Sequence, residues 1–308
     1  MAISTSDMSH DEWLEIRRKG IGGSDAGAIC GLNKYRSAFE VYADKLGLIP
    51  PKADTEPMRQ GRDLEEYVAE RFCEATGKKV RRRNAILQNS EYPFAFANVD
   101  RLIVGENAGL ECKTANSLNL KRYKNGEYPA EYYCQCMHYM AVTGYKKWYL
   151  AVLIFSTEFK VFEIERDEEE IKSLMEMEAD FWNNNVMKNI PPAPTGTQND
   201  NDVINHMYPD DNDESMVLLG FDGKLKKYSA LKEQIASLEK EKKQIEQEIK
   251  LYMGDTKKAE NDNYKITYVS AVRRTLNSDK LIADYLSDED LSDYYKETKY
   301  RVFKITEV

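Results

Sequence analysis

The sequence FAFANVDRLIVGENAGLECKT, residues 94–114, decides the fold of this chain. It has the pattern of an apolar strand, a short glycine-containing turn and a second strand. Glu111 and Lys113 stand two residues apart on the second strand, so their side chains point to the same face. Asp100 interrupts the apolar first strand, where an unpaired charge would be costly. The sequence therefore predicts a hairpin that brings Asp100, Glu111 and Lys113 together.

These three side chains suit one kind of chemistry. Two neighbouring carboxylates repel each other unless a cation lies between them, and sites rich in oxygen ligands suit Mg²⁺ or Mn²⁺. A lysine beside them can stabilise developing negative charge or help to orient and deprotonate an attacking water. Phosphodiester hydrolysis needs this set of groups. A solvent-facing salt bridge, however, would explain Glu111 and Lys113 equally well.

Length and composition indicate an intracellular protein with more than one domain. The chain has 308 residues, of which 42% are hydrophobic, enough for a full-sized core. The segment Met1 to Asp11 is polar and lacks the apolar core of a signal peptide. Nowhere do about 18 consecutive apolar residues occur, as a membrane span requires. We therefore expect a cytoplasmic location without membrane insertion.

The cysteines and histidines predict no metal cluster or disulfide framework. The five cysteines are an odd number and form no Cys-x-x-Cys motif, which is typical of reduced thiols in the cytosol. The three histidines are scattered and form no ligand pattern. An iron–sulfur or zinc-ribbon protein is therefore disfavoured.

The net charge of −9 argues at first against a nucleic-acid partner. Its distribution weakens that argument, because residues 1–150 hold 22 Lys and Arg against 20 Asp and Glu. Three basic clusters lie in this half of the chain, at residues 17–19, 81–83 and 121–122. Ordinary solvated charges would give the same pattern, so charge alone leaves DNA binding open.

Periodicity and turn residues predict an alternation of helices and strands over the first two thirds of the chain. The predicted helices are Glu12 to Lys19, Ala26 to Cys30 with Ser24 or Asp25 as the N-cap, Ser37 or Ala38 to Leu46, Asp63 to Thr76, Ala130 to Val142, and Asp167 to Met187. The predicted strands are Lys79 to Gln88, Phe94 to Val104, Leu110 to Thr114, and a hairpin of Lys147 to Phe155 with Glu158 to Glu165.

The C-terminal third predicts a separate extension. Prolines at 191–194 open a polar linker, and we place the domain boundary there, between residues 1–194 and 195–308. The segment Lys224 to Met253 keeps apolar residues at spacings of three and four, typical of a short coiled coil or a helical hairpin arm. Alternation over Tyr264 to Val272 and over Tyr300 to Ile305 predicts two small strands around a helix. We expect this extension to serve assembly or partner recruitment.

Several separated motifs, taken in order, resemble those of a known family. They are WLEIRRKGIGGSD at 13–25, GRDLE at 61–65, Asp100, ECKT at 111–114, and Tyr132-x-x-Gln135 on a helix that ends at Gly144. Together they resemble the YqaJ viral recombinase family, which is similar to phage lambda exonuclease within the PD-(D/E)XK nuclease superfamily. The resemblance covers roughly residues 12–165 and departs from the usual motif at Val99, where proline is common. It implies an α/β nuclease core with a central mixed sheet flanked by helices.

The resemblance also implies a role for individual residues. The metal ligands would be Asp100, Glu111, the Cys112 carbonyl and, for a second metal, Glu65 in preference to Glu66. Lys113 would be the catalytic lysine, and Gln135 would orient the attacking water or the lysine. Tyr132 would line the cleft. Arg17 and Ser24 would hold the 5′-phosphate of a DNA end, and an arginine beside a glycine-rich turn and a helix N-terminus makes an anion site on physical grounds too.

The expected activity is metal-dependent 5′→3′ degradation of one strand at a duplex end, giving a 3′ overhang, with Mg²⁺ or Mn²⁺ as cofactor. The family resemblance implies a homo-oligomer, often a trimeric ring, and a single-strand annealing protein as partner. Two alternatives stay open from the residues themselves. One is a sequence- or structure-specific endonuclease on the same core. The other is a non-catalytic scaffold that binds DNA ends.

Overall fold

Nine strands shape the first of the two units into which the chain divides. This computed structural model describes residues 1–286, and the first unit is Met1–Asp210. The strands are β1 (Ala2–Ser4), β2 (Ile21–Gly22), β3 (Val80–Arg82), β4 (Ala85–Gln88), β5 (Ala95–Asn98), β6 (Arg101–Ile103), β7 (Ala108–Ala115), β8 (Lys147–Ile154) and β9 (Glu158–Glu165). They form a five-stranded sheet in the order β3-β6-β7-β8-β9 and a four-stranded sheet in the order β1-β4-β5-β2.

The helices of this unit surround both sheets. They are α1 (His10–Arg18), α2 (Gly23–Ile29), α3 (Ala38–Lys45), α4 (Glu56–Asp63), α5 (Glu65–Thr76), α6 (Ala130–Thr143), α7 (Glu168–Asp180) and α8 (Gln198–Met207). A 3₁₀ helix covers Ser117–Tyr123, and a π-helical segment covers Phe181–Val186 directly after α7. The long helix predicted over Asp167 to Met187 is thus present but changes its winding at Phe181.

The five-stranded sheet is mixed and is covered on both faces. Strands β7 and β8 run in parallel over eight residue pairs, whereas the other neighbours run antiparallel. Helix α5 contributes Phe72 to one face, beside Leu110, and α6 contributes Met140 to the other, in the same core as Trp148. A parallel strand buried on both faces needs nearly continuous apolar sequence, and β8 has it. The predicted mixed α/β fold is confirmed.

The strand predicted over Phe94 to Val104 is wrong as one element. The chain forms β5, crosses between the sheets at Val99 and Asp100, and continues as β6 in the other sheet. Pairing between β6 and β7 is limited to Arg101 with Leu110 and Leu102 with Gly109. The Asp100 carboxylate accepts the backbone N–H of Cys112 at 2.8 Å, so a side chain replaces the ladder hydrogen bond at this point. The strand predicted over Lys79 to Gln88 splits in the same way into β3 and β4.

Two helix starts also differ from the prediction. Helix α2 begins at Gly23 instead of Ala26, because the carboxylate of Asp25 accepts the backbone N–H of Gly22 at 3.0 Å and so caps an earlier turn. Ser24 is therefore the second residue of the helix and not its N-cap. The helix predicted from Asp63 is preceded by α4, and the two helices are separated at Leu64.

The first unit ends later than the sequence predicted. Helix α8 lies beyond the predicted boundary at residue 194, yet its Val203 is buried in one cluster with Phe39 and Ala43 of α3. Asp200, 1% exposed, accepts a hydrogen bond from Ser37 at 2.5 Å. These contacts bind α8 to the first unit, so the structural division falls between residues 210 and 211.

The described part of the second unit consists of α9 (Asp222–Met253), the antiparallel pair β10 (Lys258–Glu260) and β11 (Lys265–Thr267), and α10 (Ser278–Tyr285). Helix α9 is unbroken, which excludes the predicted alternative of a hairpin arm within this segment. The strand predicted from Tyr264 to Val272 shortens to β11, and the strand predicted over residues 300–305 lies outside the described residues. Among the helices of residues 1–286, none has the length and apolar content to cross a membrane.

Candidate active site

Strand β7 brings two of the three predicted site residues to one face. Glu111 is 2% exposed, and its Oε1 lies 2.5 Å from the ammonium of Lys113. Asp100 lies immediately before β6, and its hydrogen bond to the N–H of Cys112 fixes it beside the same strand. The predicted convergence of Asp100, Glu111 and Lys113 is thus present in the structure, although Asp100 belongs to the crossing between the sheets.

The electrostatics of this cluster are those of two crowded carboxylates. Burial, followed by the neighbouring Glu111 carboxylate, raises the pKa of Asp100 well above its ordinary value. Burial lowers the pKa of the Lys113 ammonium, but the Glu111 carboxylate more than offsets this effect, and the net pKa of Lys113 is raised. Lys113 is therefore a cation at neutral pH and not a general base in this state of the protein.

One oxygen of this cluster has no protein partner. Oε2 of Glu111 is buried and makes no hydrogen bond, although Oε1 of the same carboxylate has two partners. A buried carboxylate oxygen without a partner is costly. Together with the carboxylate of Asp100, it offers the hard oxygen ligands that Mg²⁺ and Mn²⁺ prefer, so the residues fit a divalent cation. In the described part of the chain, no group of three or more His, Cys, Asp or Glu side chains is already arranged around a metal position.

Glu65, the third carboxylate predicted to bind metal, is held in an ion pair. It is the first residue of α5, and its Oε1 pairs with the guanidinium of Arg101 at 2.5 Å. Arg101 is buried, donates to the carbonyl of Asp100 at 2.7 Å, and also pairs with Glu66 at 3.0 Å. Arg101 therefore links the Glu65 carboxylate to the backbone carbonyl of Asp100. The preference for Glu65 over Glu66 as a metal ligand stays a prediction.

Helix α6 supplies the two other residues that the sequence placed in the site. Gln135 is buried, and its amide nitrogen donates to Oε1 of Glu111 at 2.6 Å and to the hydroxyl of Tyr139 at 2.8 Å. Tyr139 in turn donates to the carbonyl of Asn98, at the end of β5. The ring of Tyr132 lies against the ammonium of Lys113, 4.9 Å from the ring centre. In this structure Gln135 therefore orients Glu111 directly.

The predicted anion site lies where α1 meets the start of α2. The guanidinium of Arg17 donates to the hydroxyl of Ser24 at 2.9 Å and stacks over the ring of Trp13 at 4.7 Å. Ser24 is exposed near the N-terminus of α2, where helix N–H groups and the helix dipole favour an anion. A Cβ atom at Gly23 would lie 2.6 Å from the ring of Tyr139, so glycine is required for α2 to approach α6 this closely.

A buried aspartate supports this anion site from behind. Asp25 is fully buried and pairs with Arg36 at 2.5 Å and with Lys45 at 2.6 Å. Burial raises the pKa of Asp25, but the nearby charges of Lys45, Arg36 and Arg17 outweigh it, and the net pKa lies well below its ordinary value. The side chain is therefore a permanent anion that holds two cations in place.

The anion site and two of the carboxylates lie on neighbouring clefts. A cleft of about 400 Å³ is lined by Asp100, Glu65 and Arg62, and a cleft of about 830 Å³ is lined by Arg17, Ser24 and Arg36. Trp13 and Arg62 line both clefts, so the two spaces adjoin. The anion site and the carboxylates of Asp100 and Glu65 thus lie on neighbouring clefts, whereas Glu111 and Lys113 line neither of these two.

Six residues in or near these clefts had no role in the sequence-based predictions. The clefts are lined by Trp13, Arg36, Arg62, Asn98 and Arg101, and Tyr139 accepts a hydrogen bond from Gln135. Trp13 and Arg62 lie inside the quoted motifs, so the motifs themselves were a usable signal. Arg36, Arg101 and Tyr139 depend on contacts between elements distant in sequence, and no local pattern marks them.

Comparison with known proteins assigns the chain to a family. A family model, described as YqaJ-like viral recombinase domain, matches residues 12–146. A curated relative, "Uncharacterized protein YqaJ" of Bacillus subtilis (strain 168), is 40% identical over 312 residues, which cover 98% of this chain and 96% of that protein. The chain belongs to the YqaJ-like viral recombinase family. This family membership confirms the resemblance that the separated motifs indicated.

Solved structures confirm the fold of the first unit. The alkaline exonuclease LHK-Exo from Laribacter hongkongensis is 20% identical to this family member, with a TM-score of 0.51 over 58% of this chain and 94% of that one. The structure of LHK-Exo in complex with dAMP gives the same TM-score at 21% identity. At these identities the likeness concerns the fold.

Proposed function

We propose that the protein is a metal-dependent DNA exonuclease that degrades one strand of a duplex end in the 5′→3′ direction and leaves a 3′ overhang. The observation that carries this proposal is that Arg17 and Ser24 line one cleft, while Asp100, the carboxylate beside Glu111, lines the neighbouring cleft. A DNA end presents a terminal phosphate and, one nucleotide further, a scissile phosphodiester. The anion site suits the terminal phosphate, and the carboxylate cluster suits the scissile phosphodiester.

The metal ligands in this proposal are Asp100, Glu111 with its unpartnered Oε2, the Cys112 carbonyl and Glu65. When bound there, Mg²⁺ or Mn²⁺ supplies positive charge that polarises the scissile phosphate. Cys112 lies between Glu111 and Lys113 on β7, so its carbonyl belongs to the same stretch of backbone. Glu65 becomes available when its pair with Arg101 opens.

The protein side chains have distinct tasks at the scissile phosphate. Lys113, a cation, stabilises the negative charge that develops on the phosphate oxygens. Gln135 fixes the direction of the Glu111 carboxylate through its 2.6 Å hydrogen bond. Tyr132 holds the Lys113 ammonium against its ring. Because the two carboxylates and the lysine lie on or beside β7, only a phosphate bound next to this strand is hydrolysed.

The anion site gives the reaction its dependence on a DNA end. Arg17 offers a planar set of donors that suits a phosphate group, and Ser24 adds a hydroxyl and a helix N-terminus. A terminal phosphate carries more negative charge than an internal phosphodiester and is therefore preferred. The same reasoning favours an exonuclease over an endonuclease, which would not need a terminal anion.

The proposal extends to partners that the family resemblance suggests. Such an enzyme works on DNA in the cytoplasm, as a homo-oligomer that can be a trimeric ring, and hands its 3′ overhang to a single-strand annealing protein. A ring would surround the duplex and keep the enzyme on its substrate between cuts.

A nuclease assay on defined DNA tests the proposal. Linear duplex labelled on either strand, with a phosphorylated or a blocked 5′ end, is compared with circular duplex of the same sequence, each with and without Mg²⁺. The proposal expects release of nucleotides from the 5′-phosphorylated strand only with metal, and no cutting of circular DNA. Cutting of circular DNA would indicate an endonuclease, and metal-independent binding of ends without hydrolysis would indicate a scaffold.

A further inference from the structure

Helix α9 carries an apolar stripe that the described part of the second unit leaves uncovered. The stripe continues over 25 residues at alternating spacings of three and four, with Lys242 in one position. Its members are Tyr228, Leu231, Ile235, Leu238, Lys242, Ile245, Ile249 and Tyr252, which we call the seam. Leu238 is 64% exposed and Ile235 is 56% exposed. An unbroken helix with such a seam requires a partner helix to bury it.

We propose that the seam pairs with the seam of a second copy of this chain in an antiparallel, two-stranded coiled coil. The central positions are compatible with this arrangement. In a heptad frame Ile235 occupies an a position and Leu238 a d position, and an antiparallel pair places every a opposite a d. With the centre of the pair near residue 240, the opposite partners are Tyr228 with Tyr252, Leu231 with Ile249, Ile235 with Ile245, and Leu238 with Lys242.

The charges that flank the seam select the antiparallel direction. At the flanking e and g positions, the N-terminal half of α9 carries Lys227 and Lys232, whereas the C-terminal half carries glutamates, among them Glu241 and Glu246. A parallel pair in register would bring Lys227 against Lys232 and Glu241 against Glu246 of the second copy, and both contacts are repulsive. The antiparallel pair brings Lys232 against Glu246 of the second copy twice, and both contacts are attractive.

Lys242 is consistent with the same arrangement. A lysine within a seam lowers stability but specifies one alignment of the helices. In the antiparallel pair Lys242 lies opposite Leu238, and its long side chain can reach Glu239 of the second copy at the edge of the seam. Without that reach, Glu239 would face Glu239 of the second copy as a like pair. Glu241 faces Glu241 of the second copy in the same way on the other side of the seam, so Lys242 offsets one of two like contacts, whereas the parallel pair would have four.

The pairing has a consequence for assembly that does not depend on the proposed nuclease activity. A two-stranded coil joins chains two at a time. If the nuclease unit is itself monomeric, the coil produces a dimer, and if it forms a ring of three, the coil joins separate rings. In both cases the mass of the full-length protein falls when the pairing is broken.

Disulfide cross-linking of full-length variants distinguishes the two directions. The variants are Tyr228→Cys, Tyr252→Cys and the double variant, oxidised with glutathione disulfide and analysed on non-reducing gels beside the wild type. Antiparallel pairing expects a covalent dimer only for the double variant, because the two positions lie at opposite ends of one helix and meet only across copies. A covalent dimer from each single variant would show parallel pairing and overturn the proposal. The absence of any cross-link would overturn it too.

Charge reversal gives an independent readout that does not involve the seam itself. Lys232→Glu and Glu246→Lys should each weaken self-association of the full-length protein by about fivefold to thirtyfold, and the double variant should restore it. Lys243→Glu makes the same change on the exposed face away from the seam and is the control. Association is measured by sedimentation equilibrium at low salt. Tighter association of Lys232→Glu, as a parallel pair would give, or equal behaviour of all variants, would contradict the proposal.

Discussion

The side-chain amide of Gln135 donates to Oε1 of Glu111 at 2.6 Å and links the central helix α6 to strand β7. The same nitrogen contacts the hydroxyl of Tyr139, which donates to the carbonyl of Asn98 just before the crossing that carries Asp100. One chain of hydrogen bonds therefore connects the Glu111 carboxylate with the backbone two residues before Asp100. Its loss should disturb the position of Glu111 relative to Asp100 without removing either residue.

Gln135→Ala should lower kcat by about tenfold to a hundredfold and leave KM for DNA ends nearly unchanged, because it releases Glu111 but touches no part of the anion site. Tyr139→Phe keeps the ring that packs on Gly23 and removes only the hydroxyl, so we expect a smaller loss in the same direction. Steady-state rates on linear duplex provide the measurement. A raised KM with unchanged kcat would assign Gln135 to DNA binding instead.

Asp100→Ala, Glu111→Ala and Lys113→Ala should each lower the rate of hydrolysis by at least about a hundredfold, since each removes a charge that acts on the scissile phosphate. The two carboxylate variants should also lose metal binding, which can be followed by calorimetric titration with Mn²⁺. Lys113→Ala should keep most of it, because a cation contributes no ligand. Wild-type turnover by Glu111→Ala at saturating Mg²⁺ would remove this cluster from the mechanism.

Glu65 and Glu66 form a matched pair, since both bind the guanidinium of Arg101. Glu65→Gln should weaken metal binding by at least about tenfold, as expected for loss of a ligand or of its immediate support. Glu66→Gln should leave metal affinity within about twofold, although it loses a charge next to the same arginine. Calorimetric titration of both variants with Mn²⁺ measures the metal affinity. Equal losses of affinity would mean that the effect comes from the removed charge and not from the loss of a ligand.

Arg17→Ala should abolish the preference for a 5′-phosphorylated end over a 5′-hydroxyl end. A charge-assisted contact contributes about 1.5–3 kcal/mol, so the preference should fall by about ten- to a hundredfold. Lys19→Ala, an exposed cation two residues away that lines neither cleft, is the control and should keep the preference. Rates on the two kinds of end, measured side by side, test this, and an unchanged ratio in Arg17→Ala would make Arg17 structural.

Asp25→Asn should destabilise the protein by about 3–5 kcal/mol at neutral pH, because Lys45 and Arg36 lose their buried counter-charge. The folded pKa of Asp25 lies below the ordinary value of 3.8, so its contribution to stability is complete above that value and declines as pH falls below it. The difference in unfolding free energy between variant and wild type should therefore shrink from pH 5 to pH 3. Urea titrations at these pH values measure it, and a constant difference would argue against a charged Asp25.

The sequence by itself determined the character of the fold and the identity of the central cluster. Two-residue spacing places Glu111 and Lys113 on one face of any strand, and the pattern of residues 147–165 predicts a hairpin of two strands. Helix caps and glycine stops located α3 and α6 to within a few residues. The strand pattern located the hairpin of β8 with β9 equally closely. These are local properties, which depend on the backbone and its nearest neighbours.

Only the tertiary structure decided where elements are interrupted and which distant residues meet. The strand expected over Phe94 to Val104 divides because the Asp100 carboxylate takes the N–H of Cys112, a contact across 12 residues. Helix α8 joins the first unit because Val203 is buried against α3, which the polar sequence around it does not indicate. Likewise, Glu65 forms an ion pair with Arg101, and Gln135 donates a hydrogen bond to Glu111. Each of these outcomes is a competition between partners far apart in sequence, and no local pattern determines its result.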